Sequence, residues 1–239
     1  MGRMSSDPTT VFTPAARVRG TLALIAGRDE TAAVYRRFGT RISADGYTVG
    51  VFEGPDAAAA WLGEQADGPR VLVGSDTGAS AVLTALAQGD VADAAIVAGI
   101  VVDLEHAPTD AERTACPVHL GVLAEQHAST GAAPQGGASA DPVEGPAAAL
   151  PDAADLAAIA VPVLAVHGGA DPVSPFAQAR AVLSAIPDVE IVETVDGLHD
   201  ALNDQTHRSV AASIVLWLER LRTGDVHAPI VRHAEDVTA

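Results

Sequence analysis

Asp76 is the residue whose neighbours say most about its chemistry. It lies in Val71-Leu72-Val73-Gly74-Ser75-Asp76-Thr77-Gly78-Ala79-Ser80, where an apolar run passes into small residues and then into a helical pattern over 77–88. A buried strand, a tight turn with small residues two positions to either side of a central side chain, and a helix start together make a nucleophile elbow. Strand and helix pass close to each other there, so Gly74 and Gly78 meet a steric need. The backbone N–H of Thr77, the residue after the apex, is a candidate oxyanion-hole donor. The apex of such a turn usually carries Ser, and here it carries a carboxylate. A carboxylate attacks an electrophilic sp³ carbon, displaces halide or opens an epoxide, and becomes an alkyl ester that water then cleaves. Taken alone, the segment also reads as an ordinary turn with Asp76 capping the helix.

Two further residues follow in the chain order that such a site requires, nucleophile, acid, His. The first is Asp171, in Val161-Pro162-Val163-Leu164-Ala165-Val166-His167-Gly168-Gly169-Ala170-Asp171-Pro172-Val173-Ser174-Pro175, a buried strand running into a Gly-rich turn. The second is His199, in Asp196-Gly197-Leu198-His199-Asp200-Ala201-Leu202-Asn203-Asp204, a loop after the short strand over 189–195. The acid would orient the imidazole and stabilise its charged form. A turn Asp and a solvated loop His are each plausible alone; three such residues at strand ends in the right order make chance a poor account. Asp103, after the apolar run over 94–102, is the back-up acid.

On these residues the chain resembles the α/β-hydrolase superfamily, in particular its monoacylglycerol lipase and lysophospholipase branch. The resemblance covers roughly residues 17–102 and 159–222. Gly20-Thr21-Leu22-Ala23-Leu24-Ile25-Ala26-Gly27-Arg28-Asp29-Glu30 is similar to that branch's strand and oxyanion loop, which implies that the backbone N–H of Arg28 is the second oxyanion donor. Segments 161–175 and 197–204 resemble its acid turn and its His-acidic-x-x-Asn-acidic segment. The resemblance implies an α/β-hydrolase fold, a doubly wound and mostly parallel sheet with a small cap, working on a small-molecule substrate without a cofactor. Three positions depart from the pattern: Asp76 replaces Ser, Ser75 replaces the His before it, and Ala26 replaces the His of the oxyanion loop.

Those departures set the functional alternatives. One is a hydrolase with Asp76 as nucleophile and with His199 and Asp171 activating water. Against it, epoxide hydrolases of this fold protonate the leaving oxygen with cap tyrosines, and the only tyrosines here are Tyr35 and Tyr47. Haloalkane dehalogenases hold halide with a Trp after the nucleophile, and here that residue is Thr77. A second is a carboxylic ester hydrolase with Asp76 as a base. A third is a non-catalytic binding protein on a hydrolase scaffold.

Composition narrows the setting. The chain has 239 residues, enough for one substantial core. It is 48% apolar with only 3% aromatics, so that core must be built of Ala, Val, Leu and Ile. The formal net charge of −17, with Arg and no Lys, argues against nucleic acid and anionic membranes as partners. A single Cys116 leaves no intramolecular disulfide, and no paired Cys or His spacing suggests a metal. With no apolar run of membrane-spanning length and no charged segment leading into an apolar one at the start, a cytoplasmic protein is expected. Oligomeric state is not legible.

The elements that must position the site follow from periodicity. Strands are expected at 18–26, 47–53, 70–75, 94–102, 161–167 and 189–195, with helices at 30–45, 56–66, 77–88, 175–186 and 205–222. Their alternation argues a doubly wound sheet over 17–239, after an N-terminal tail at 1–16 with room for a short edge strand. Residues 103–158 break the alternation and read as a cap insertion. Within it, 130–150 is rich in Gly, Ala, Pro and Ser and reads as a weakly ordered lid. The run from Cys116 to Gln126 echoes the strand beginning at Val161 and reads as a candidate extra strand. His106, His119 and His127 read as solvated loop histidines. An acidic tail is expected over 224–239.

Overall fold

Continuous apolar runs need cover on both faces, and the sheet they form has it. A computed structural model describes residues 7–89, 92–130 and 149–231. Its strands are β1 (Thr10–Phe12), β2 (Gly20–Ile25), β3 (Tyr47–Phe52), β4 (Arg70–Ser75), β5 (Ala94–Ala98), β6 (Val163–Gly168) and β7 (Val189–Thr194). Their order across the sheet is β1-β3-β2-β4-β5-β6-β7, with β1 antiparallel to β3 and the other pairs parallel. The helices are α1 (Arg36–Ala44), α2 (Pro55–Gly63), α3 (Thr77–Ala87), α4 (Asp110–Arg113), α5 (Pro117–Thr130), α6 (Ala153–Ala157), α7 (Phe176–Leu183) and α8 (His207–Thr223).

Alternation along each strand sends side chains to opposite layers. Leu22, Leu24, Val71 and Val73 join Phe38 and Ile42 of α1 and Ile214, Trp217 and Leu218 of α8. Ala23, Ile25 and Leu72 join Leu62 of α2, Val82 and Leu83 of α3 and Leu183 of α7. Trp217 is buried in the first layer, and Trp61 rests on Phe52 with ring centroids 5.3 Å apart. Both tryptophans are packing residues.

The excursion between β5 and β6 differs from expectation. Residues 116–126 are helical, within α5, rather than an extra strand. Pro117 at the first helical position suits a helix start, where its missing N–H is no loss. The buried residues of α5 are His119, Leu123, Gln126 and His127, at helical spacing but mostly polar. The strand reading rested on the echo of the segment at Val161, and a polar buried face offers no apolar helical period to set against it. Two of the three histidines expected in solvent are likewise corrected, since His119 is 1% exposed and His127 is buried against Asp110, whereas His106 stands in a loop with its side chain 36% exposed. Most of the expected lid, 131–148, lies outside the described residues, as do 1–6 and the end of the acidic tail, 232–239.

Candidate active site

Asp76 stands at the apex of the β4–α3 turn with φ 52° and ψ −125°, a left-handed conformation that a non-glycine residue adopts at a cost of about 1–3 kcal/mol. Close packing holds it there. A Cβ on Gly74 would lie 2.3 Å from the Gly78 carbonyl oxygen, and one on Gly78 would lie 2.3 Å from that of Ile25. Asp76 N–H is fixed by the Ala98 carbonyl at 3.1 Å. Thr77 opens α3, so its N–H has no acceptor within the helix.

His199 arrives on the loop between β7 and α8. Asp204 ties that loop down, accepting N–H bonds from Leu198 and Ala115 at 2.9 Å and the Thr114 hydroxyl at 2.9 Å. Asp171 sits in the turn after β6, where its Oδ1 accepts the N–H groups of Val173 and Ser174. Its Oδ2 accepts His199 Nδ1–H at 2.8 Å. His167 Nε2 also lies 3.0 Å from that oxygen and 2.7 Å from the Ser174 carbonyl, which can only accept, so Nε2 carries the proton. The other face of the imidazole meets the elbow: His199 Nε2 is 3.9 Å from Asp76 Oδ1. That is an ion-pair contact slightly too long for a direct hydrogen bond. The structure thus brings Asp76, His199 and Asp171 together. Asp103 instead stands exposed and accepts the N–H of Glu105.

Sequence reasoning gave Arg28 only a backbone role, and its side chain is the largest addition to the site. Arg28 Nε reaches both carboxylate oxygens of Asp76, at 3.2 and 3.1 Å, and Nη1 donates to the His106 carbonyl at 3.1 Å. Nη2 is buried with no hydrogen-bond partner among the described residues. Behind Arg28 lies a buried ionic chain. Tyr35 hydroxyl bonds Glu30, and both accept Gly27 N–H at 3.0 Å. Arg113, on the last turn of α4, pairs with Glu30 and with Asp200 at 3.2 Å, and His119 of α5 reaches Asp200 at 2.7 Å. Asp200 N–H in turn donates to the Arg113 carbonyl at 2.8 Å. Helices α4 and α5 are therefore pinned to the two loops that carry Arg28 and His199. These partners lie 81–87 positions apart in the chain, and no local motif announces them.

The charges reinforce one another. Burial favours a neutral Asp76, but His199, Arg28 and Arg113 outweigh it and hold the carboxyl below its ordinary range. Burial also disfavours a charged His199, yet Asp171 and Asp76 together push it up to about 10. Asp171 is well below the usual carboxylate range, with burial overcome by His167 and His199. Burial raises Glu30 despite Arg113.

This arrangement of sheet, elbow, acid turn and His loop is the α/β-hydrolase fold. No protein-family model matches the chain, and no curated protein does. Solved structures do. A monoacylglycerol lipase from Paleococcus ferrophilus shares 18% identity over 87% of this chain and 96% of its own, with a TM-score of 0.60. A soluble variant of monoglyceride lipase from Saccharomyces cerevisiae, in complex with a substrate analogue, shares 12% over 88% and 90%, with a TM-score of 0.66. An esterase domain from Rhodothermus marinus shares 16% over 88% and 91%, with a TM-score of 0.57. No helix among the described residues is long and apolar enough to cross a membrane.

Proposed function

We propose that this chain is a hydrolase in which Asp76 displaces a leaving group from an sp³ carbon and His199, oriented by Asp171, activates the water that cleaves the resulting ester. The observation that carries this reading is the carboxylate at the strained apex, 3.9 Å from an imidazole backed by a second carboxylate at 2.8 Å. The likeness to lipase and esterase structures supports hydrolysis in general. The tyrosines favour a group that leaves as an anion over an epoxide. Tyr35 hydroxyl is engaged with Glu30 and Gly27, and Tyr47 hydroxyl with Glu219, so each is already committed to other partners.

The charges give the steps an order. While Asp76 is ionised, His199 holds two protons and cannot act as a base at neutral pH. Attack forms a Cγ–O–C linkage, the leaving group departs with its bonding electrons, and Asp76 loses its charge. One of the two carboxylates that hold the proton on His199 is then gone, so the imidazole releases that proton and Nε2 is free to accept one from water. Hydroxide adds to Cγ, with the backbone N–H groups of Arg28 and Thr77 receiving the oxyanion. The adduct collapses, the departing alkoxide takes the proton from His199, and ionisation of Asp76 restores the starting charges. Asp76→Asn should abolish turnover, and His199→Gln should accumulate the ester, seen as a mass increase on the peptide carrying Asp76. Wild-type turnover unaffected by Asp76→Asn would overturn the assignment.

A second reading, a non-catalytic binding protein, is favoured by one observation: Asp76 is 1% exposed and already paired with Arg28. On that reading no substrate leaves a mark on Asp76, and both variants keep ligand affinity within a small factor.

A further inference from the structure

Arg28 poses a problem of charge that the proposed chemistry does not solve. Its side chain is only 13% exposed, and among the described residues Asp76 is its one carboxylate partner. The buried carboxylates Glu30 and Asp200 are held by Arg113. Once Asp76 becomes an ester, the guanidinium is left without an anion in a mostly buried place. An uncompensated charge of that kind is strongly unfavourable, and a neutral substrate would carry the burden into the intermediate and its transition states. A substrate bringing its own anion would remove it.

The guanidinium is also shaped for a second oxygen ligand. A carboxylate lying squarely on an Arg fork takes Nε–H and Nη2–H together. Asp76 instead shares Nε between its two oxygens, and Nη1 is given to the His106 carbonyl, leaving buried Nη2 as the donor with no partner among the described residues. A buried donor left unmet is costly, which is a reason to expect an acceptor there.

We infer that Arg28 is the specificity-determining residue of this site and that it selects substrates bearing a carboxylate next to the carbon under attack, that is, 2-substituted carboxylic acids. The inference rests on the proposed role of Asp76 as nucleophile. With a 2-halo acid, the carboxylate takes Nη2, the C–O bond to Asp76 forms as the C–halogen bond breaks, and halide leaves with the electron pair. The carboxylate then replaces Asp76 as the counter-ion of Arg28. Water and His199 release the 2-hydroxy acid, and the proton that accompanies halide comes from His199.

The test compares 2-bromopropionate with the neutral 2-bromopropionamide in the full-length His199→Gln protein, reading the rate of adduct formation on Asp76 by mass spectrometry. The acid should react faster, and adding Arg28→Met should lower the acid-to-amide ratio about 100-fold, the scale of a charge-assisted hydrogen bond. Arg28→Lys keeps the charge without the fork and should leave an intermediate ratio. It also serves if Arg28→Met does not fold. Adducts from both probes, with a ratio that Arg28 variants do not move, would overturn the role of Arg28 while leaving Asp76 as nucleophile. Acid and amide slowed equally would place Arg28 on the leaving halide instead and also overturn it. No adduct from either probe would overturn both, because the nucleophile itself would have failed.

Discussion

The two sides of the site are built on opposite principles. On the elbow side, β4, α3 and the end of β2 meet through glycines so close that a single added carbon would strike backbone at 2.3 Å. The side formed by α4 and α5 is held by charge, with Glu30, Arg113, Asp200 and His119 buried together and Arg28 reaching over Asp76. Steric closeness fixes where the nucleophile points. Electrostatics fixes what protonation state it and its partner hold, and ties both loops to α4 and α5. The comparison teaches that position and reactivity are specified separately here, so each can be broken without the other.

The largest effect is expected on the charged side. Arg113→Met would leave Glu30 and Asp200 buried without their cation, at about 3–5 kcal/mol of stability. Adding Glu30→Gln and Asp200→Asn should recover much of that, because the stranded charges go too. A urea-unfolding loss under about 1 kcal/mol for the single variant would mean that the chain of charges is solvated and that the contrast between the two sides is wrong.

A smaller effect is expected on the steric side. Gly78→Ala puts a methyl 2.3 Å from the Ile25 oxygen and 2.6 Å from that of Ala26. The strand end must shift, at about 1–3 kcal/mol, and the loop carrying Arg28 shifts with it. Gly121→Ala is the control. It lies in α5 with nothing within 4 Å of the new carbon, and should stabilise by roughly 0.5–1 kcal/mol. Equal effects at the two positions, followed by thermal melts, would remove the argument for a crowded elbow.

The pH dependence sharpens the comparison further, with a smaller change in stability. His199 is raised from 6.5 to about 10, so what it contributes to stability is fully present below pH 6.5 and is lost as pH rises through about 10. Asp76 and Asp171 are lowered from 3.8, so their contributions are present above that value and are lost as the solution is acidified further. Stability should therefore be greatest between those limits. In Asp76→Asn, one of the two carboxylates facing His199 is gone. The imidazole should then titrate at lower pH than in the wild type, as followed by its NMR ring protons. An unchanged titration would show that Asp76 does not reach His199 electrically.

The same contrast decides what was legible in the sequence. The steric side was: Gly74, Asp76 and Gly78 between an apolar run and a helix, then Asp171 and His199 in order at strand ends, are local patterns that are ambiguous singly and point to one geometry when taken together. The sheet followed because its apolar runs are continuous, and expected strand and helix limits fall within a few residues of those observed, the 30–45 helix excepted, since regular helix begins only at Arg36. The charged side was not legible. Arg28 read as a backbone donor, because nothing in the sequence says which way a long side chain turns. His119 read as solvated, because its partner Asp200 lies 81 positions away. The helix α5 read as a strand, because the run from Cys116 to Gln126 echoes the strand segment beginning at Val161, while the residues it buries are His119, Leu123, Gln126 and His127.

The central claim is that Asp76 carries the substrate as an ester whose acyl carbon is the one water attacks. A single turnover in water enriched in ¹⁸O, with enzyme in excess over 2-bromopropionate, tests it directly. The account predicts that the label enters the Asp76 carboxylate, found on the peptide carrying Asp76, while the first equivalent of product keeps unlabelled oxygen from the enzyme. Label in the product alone, with none on Asp76, would contradict it, because water would then have attacked the substrate with Asp76 acting as a base or a bystander.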